Sequence, residues 1–192
     1  FMEQTKWSET VLLVDADFLD KTAFDLIVNL ERVINRPIQA GDLCTWLDCL
    51  ALDSGIRPGK NEVQVLFLYP EGKTALEHFR PASFLQELDG KAFSDNLGEF
   101  TLHSFPIESV VSREDFYLQS LETIADSAEV KRLLLVPDMG AYGTRVRSFL
   151  TSVAQKEVTL FAMEPVAGIN GRAEILGYSL ICALGISSEE LG

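Results

Sequence analysis

Histidine and cysteine, the residues from which most transition-metal sites are built, are scarce: two histidines and three cysteines in 192 residues. His78 and His103 lie far apart, and Cys44, Cys49 and Cys182 show no metal-ligand spacing, so they make no zinc set. An odd count also argues against a disulfide framework, and the three are read as reduced, buried thiols. Positive charge is short as well. With 16 basic against 29 acidic residues the formal net charge is −13, a surface that repels nucleic acid and anionic membranes at long range. Long apolar runs are missing too. Val11–Val14 is stopped at once by Asp15, and neither a signal peptide nor a membrane span is expected. The reading that follows is a cytoplasmic protein.

What is present is apolar substance: 47% of the residues are hydrophobic, enough for one core without metal or disulfide staples. The pattern alternates between strand and helix. Thr10–Ala16, Glu62–Tyr69, Phe100–Phe105, Arg132–Val136 and Val158–Ala162 read as five strands, several of them continuous apolar runs suited to burial on both faces. Asp20–Asn35 carries Phe24, Ile27, Val28, Leu30, Val33 and Ile34 at helical spacing. Further helices are predicted from Asp42 to Asp53, Ser112 to Ser127, Gly140 to Gln155 and Ala173 to Leu184. Between residues 74 and 97 the pattern suggests two short helices, Thr74–Phe79 and Pro81–Leu88, before the turn Asp89-Gly90. Such an order predicts a three-layer α/β fold, with a mostly parallel five-stranded sheet and helices on both faces. Residues 1–165 form the α/β domain, and residues 166–192 add an apolar helix that packs on it or offers a homodimer surface.

In this architecture ligands bind beyond the carboxyl ends of the strands, and acids gather there. The first strand runs into Asp15-Ala16-Asp17, and the fourth into Pro137-Asp138. Carboxylates set on rigid strand ends can share a hard divalent cation, Mg²⁺ or Mn²⁺, and phosphoryl transfer is the commonest use of such a site. The plainer reading is that each aspartate caps the next helix. Asp115 lies three residues after Ser112, the spacing of a capping box, and a helix entering after the third strand would bring its first turn toward the same edge. Glu122 shares a helix face with Asp115.

These motifs resemble the NYN branch of the PIN-like nuclease superfamily. Its members open with a strand ending in an Asp-Gly-x-Asn-Leu type motif, matched here by Asp15-Ala16-Asp17-Phe18-Leu19. They carry an Asp in the first turn of a central helix, where Asp115 stands. Their late strand ends Ser-Gly-Asp-x-Asp-Phe, and here Leu133–Val136 leads into Pro137-Asp138-Met139-Gly140. The similarity spans roughly residues 10–162. It implies a PIN/Rossmann-like fold and Mg²⁺- or Mn²⁺-dependent cleavage of RNA. Asp15, Asp115 and Asp138 would then be catalytic, and Asp17 would join them as a metal ligand. Two positions depart: the family's Asn is Phe18, and the second late acid is Gly140. A catalytically decayed relative is therefore the companion expectation. Arg113, Arg145 and Arg147 are the bases placed to help hold RNA.

Two other readings compete. Asp15-x-Asp17 after an apolar strand resembles the haloacid dehalogenase phosphatases, whose first Asp is a nucleophile. The strands ending Tyr69-Pro70 and Phe105-Pro106 lack the hydroxyl that family needs. A non-enzymatic binding module would use Gly140-Ala141-Tyr142-Gly143-Thr144, a glycine-rich turn into a helix that can hold phosphate on backbone N–H groups. If one strand pair matters, it is the first and the fourth, which should be neighbours with Asp15 and Asp138 at one edge.

Overall fold

The computed structural model describes Met2 and residues 5–192. In chain order the elements are β1 (Thr10–Asp15), α1 (Ala16–Ile34), β2 (Gly41–Asp42), α2 (Leu43–Asp53), β3 (Asn61–Pro70), β4 (Phe79–Arg80), β5 (Lys91–Asp95), β6 (Gly98–Ile107), α3 (Arg113–Ala125), β7 (Arg132–Val136), α4 (Met139–Ser152), β8 (Glu157–Ala162), β9 (Arg172–Ile175) and α5 (Leu176–Ala183). Seven strands form one sheet in the order β5-β6-β3-β1-β7-β8-β9, while β2 and β4 make a separate two-residue ladder. All neighbours in the main sheet run parallel except β5, which is antiparallel to β6.

Why β1 sits at the centre follows from its side chains. Val11–Val14 are all fully buried, and successive residues of a strand face opposite ways. Leu12 and Val14 join one core with Leu19 of α1, Trp46 of α2 and Leu180 of α5. Val11 and Leu13 join a second core with Leu121 of α3 and Val146 of α4. The result is three layers, with α1, α2 and α5 on one face and α3 and α4 on the other. Each fully buried Leu or Val contributes roughly 1.5–3 kcal/mol relative to exposure, and this doubly covered centre fixes where the strand ends point. Trp46 is fully buried and Trp7 nearly so, so both pack rather than present a stacking surface.

Four expectations are corrected. The sheet has seven strands, not five. β5 arises because Lys91–Asp95 turns back along β6, and it shields that edge with an exposed, charged strand. Residues 74–97 do not form two short helices. They hold β4, a π-helical turn at Phe84–Leu88 and β5. A buried carboxylate organises this stretch: Asp20 accepts from the amides of Glu77 (2.8 Å) and His78 (3.0 Å) and pairs with Lys73 at 2.7 Å. The C-terminal helix is preceded by β9, because Arg172–Ile175 pairs along the otherwise open edge of β8. Gly171 permits that pairing. It sits at φ +153°, and a Cβ there would lie 2.7 Å from the Val158 carbonyl oxygen. Leu176, Leu180 and Ala183 of α5 then turn into the chain's own core, which leaves Tyr178 exposed. Finally, the cysteines are free but not buried: Cys182 is exposed, and Cys44 and Cys49 are half-buried.

Candidate functional site: an arginine between two strand-end aspartates

β1 lies between β3 and β7, and the chain builds outward to β3 and β6 before α3 brings it back to β7. The direction of winding therefore reverses between β1 and β7, the position where open α/β sheets form their crevice. Val14 pairs with Val136, so Asp15 and Asp138 leave the sheet side by side, as the sequence led us to expect.

Both aspartates cap the helices that follow them. Oδ1 of Asp15 accepts from the Phe18 amide at 3.1 Å, and Oδ1 of Asp138 accepts from the Ala141 amide at 3.1 Å. Their second oxygens meet one cation. Nη1 of Arg113 donates to Asp15 Oδ2 at 2.8 Å, and Nη2 donates to Asp138 Oδ2 at 2.9 Å. Arg113 is the first residue of α3, and the Ser112 hydroxyl caps that helix by accepting from the Asp115 amide. The rigid planar fork of a guanidinium, which often grips one carboxylate, here joins two. Two helix N-termini, each worth about half a positive charge, also face the pair.

Tyrosines close the inner side. The Tyr142 hydroxyl donates to Asp15 Oδ2 at 2.6 Å, and its ring lies 5.8 Å beneath the Arg113 guanidinium carbon. The backbone at Tyr142 leaves helical geometry (φ −139°, ψ 28°), a kink within α4 that accompanies this inward ring. Tyr117 packs against Tyr142 at 5.5 Å and donates to the Leu13 carbonyl at 3.0 Å. Burial raises the pKa of both tyrosines, and the neighbouring Asp15 charge adds to the effect. Asp15 is only 1% exposed. Burial pushes its carboxyl above the usual range, while Tyr142, Arg113 and the Phe18 amide pull it back down. Burial alone would lower Arg113, but Asp15 and Asp138 outweigh it and hold the guanidinium above its ordinary value.

The remaining expected ligands go elsewhere. Asp17 turns to a shallow hollow on α1 shared with Lys21, Lys73 and His78. Asp115 is exposed and pairs with Arg145 at 2.8 Å, beside Glu114 on the same guanidinium at 3.1 Å. Glu122 is exposed. Among the described residues, no group of three or more His, Cys, Asp or Glu side chains is placed to hold a metal ion. The four-carboxylate cluster is thus reduced to one pair because a surface arginine draws Asp115 away and Asp17 faces another side of α1.

That pair does not fit Mg²⁺ or Mn²⁺. A hard divalent cation of this kind needs near-octahedral oxygen coordination, yet all four oxygens of Asp15 and Asp138 already accept hydrogen bonds, and a guanidinium sits between them. Nor is Asp15 open to act as a phosphatase nucleophile. Sequence reasoning named Arg113 only as an RNA-holding base and missed Tyr117 and Tyr142 as partners. Two signals pointed to them: Arg113 directly follows the helix cap Ser112, and Tyr142 lies one turn after Asp138.

Beside this centre opens a cleft of about 650 Å³ lined by Phe18, Gly140, Gly143, Thr144, Arg147 and Met163, among others. It includes the glycine-rich turn singled out in the sequence. Among the described residues no helix is long and apolar enough to cross a membrane. No curated protein and no solved structure matches the chain. A model described as a family of unknown function (DUF6621) matches residues 4–191, and the chain belongs to that family.

Proposed function

We propose that this chain is a PIN/NYN-like module that binds a ligand without cleaving it, its nuclease-type acids held by an internal cation. One observation carries the reading: the Arg113 guanidinium bridges Asp15 and Asp138 where the resemblance calls for a metal ion. An arginine supplies positive charge but no Lewis acidity toward a water molecule, so the centre stabilises the crevice and leaves no nucleophile to generate. The ligand site is the cleft beside the switch point, between α4 and the segment after β8. A net charge of −13 disfavours a long nucleic-acid backbone there and favours a small ligand or a short segment of another protein.

Thermal melting in Mn²⁺ or Mg²⁺ at matched ionic strength tests the reading. The wild-type midpoint should not rise, and single-stranded RNA should stay intact. In Arg113→Ala the two carboxylates lose their cation, and Mn²⁺ should then raise the midpoint, because a ligand bound only by the folded state stabilises it. Metal-dependent RNA cleavage by the wild type, lost in Asp15→Asn, would overturn the proposal and restore the nuclease.

A further inference from the structure

We infer that Cys49 of α2 and Cys182 of α5 form a thiol–disulfide site that can staple the two helices together, a property independent of the strand-end centre. The two helices share a seam. Trp46 Nε1 donates to Ser179 Oγ at 3.1 Å, and both partners are buried. Cys49 and Cys182 each lie three residues further along, nearly one turn down the same seam, which makes the two thiols neighbours across it. Both are free. Neighbouring thiols on two packed helices can close to the roughly 2 Å of a disulfide by side-chain rotation. Cys44 takes no part: it is five residues from Cys49, on another side of α2, beside Asp42, Asp48 and Asp95.

The two sulfurs differ in access. Cys182 is exposed, whereas Cys49 is half-buried, and burial, its thiol partner and the acids Asp53 and Asp48 push it up to about 12. Cys182 therefore meets an oxidant first, and Cys49 resolves the product. With cystamine, a cationic disulfide suited to this acidic surface, the Cys182 sulfur attacks one cystamine sulfur. One cysteamine leaves with the thiol proton. The Cys49 sulfur then attacks Cys182 Sγ in the mixed disulfide, and the second cysteamine leaves with the Cys49 proton. Two thiols are oxidised to one disulfide, and one cystamine is reduced to two cysteamines.

The full-length chain is incubated with excess cystamine, quenched with acid and analysed by thiol titration and peptide mapping. The free-thiol titre should fall from three per chain to one and return on reduction, with a single cross-linked peptide joining Cys49 to Cys182. Cys44→Ser should close in the same way. Cys49→Ser should stop as a cysteamine adduct on Cys182, and Cys182→Ser, a change at an exposed position, should form no internal bond. Far-ultraviolet spectra and melting of the reduced variants check that each is folded. An unchanged titre, a wild-type adduct on Cys182 that never closes, or a cross-link through Cys44 would each overturn the proposal.

Discussion

Two pairs of carboxylates in this chain face the same electrostatic problem and meet it differently. Asp15 and Asp138, at the strand ends, have a permanent cation between them. Asp48 of α2 and Asp95 of β5 have none. Asp95 accepts from the Leu97 amide, while Oδ1 of Asp48 is buried without a hydrogen-bond donor. Burial, the Asp95 carboxylate and the nearby Asp42 push Asp48 up to about 7. A guanidinium keeps its charge at every accessible pH, whereas a carboxyl raised to about 7 gives up its proton near neutrality. The centre at the switch point is therefore built to hold one geometry, and the α2–β5 contact is built to respond to pH.

The sharpest way to break the comparison is to remove the permanent cation. Arg113→Ala should destabilise the fold by about 3 kcal/mol at pH 7, because it leaves a buried carboxylate without its counter-charge. Urea unfolding measures the loss. Asp15→Asn added to Arg113→Ala should recover part of it by removing the unpaired charge. The sign with pH follows from Asp15, whose pKa burial already raises and which would rise further without Arg113. A carboxyl with a raised folded pKa costs nothing below its unfolded value and the full penalty above its folded one, so the variant's deficit should shrink as pH falls toward 4. A deficit of the same size at pH 4 and pH 7 would mean that Arg113 acts by packing rather than by charge.

The second pair should behave oppositely. Asp48→Asn keeps a neutral side chain that can donate to Asp95, so it mimics the protonated form. Because the folded pKa is raised, the wild type loses stability as pH climbs from about 4 through about 7. The variant does not. The two should melt alike at pH 4, and the variant should gain about 1 kcal/mol by pH 8, a figure reduced for the solvent that reaches this half-buried site. A difference between the two that stays constant across that range would show that Asp48 does not change its protonation there.

What could be read from the sequence, and what could not, divides along the same physical line. β1 and β7 were legible because a parallel strand covered on both faces is a continuous apolar run, as in Val11–Val14 and Leu133–Val136. Their adjacency, and hence the meeting of Asp15 with Asp138, followed from the alternation of elements. The cation did not, because Arg113 lies 98 positions from Asp15, and Tyr142 lies 127 from it. Residues 74–97 were opaque for a similar reason: their course depends on Asp20, 57 positions before Glu77, and on the flank of β6. β9 was hidden inside an apolar stretch of helical character because strand pairing depends on the vacant edge of β8, which no local pattern records. Asp115 was legible as a helix-start residue, yet its direction depended on Arg145, 30 positions away.

Asp115 supplies the smallest expected effect and separates a resemblance in spacing from one in chemistry. As a metal ligand it would stand with Asp15 and Asp138. Here it is exposed on the first turn of α3, where Arg145 and the Ser112 hydroxyl hold its carboxyl below the usual range. A lowered folded pKa contributes only above the unfolded value and is lost as pH falls through the folded one, so any contribution belongs to pH above about 4. Water and salt screen that contribution, and Arg145 keeps Glu114 when Asp115 is neutralised. Asp115→Asn should therefore leave the urea midpoint at pH 7 unchanged within measurement, at low and at high salt alike. It should also leave untouched the Mn²⁺ response that Arg113→Ala acquires, since that response rests on the two strand-end carboxylates. If Asp115→Asn erased the response, the first turn of α3 would have to reach the centre after all, and the third ligand that the resemblance assigns would be present.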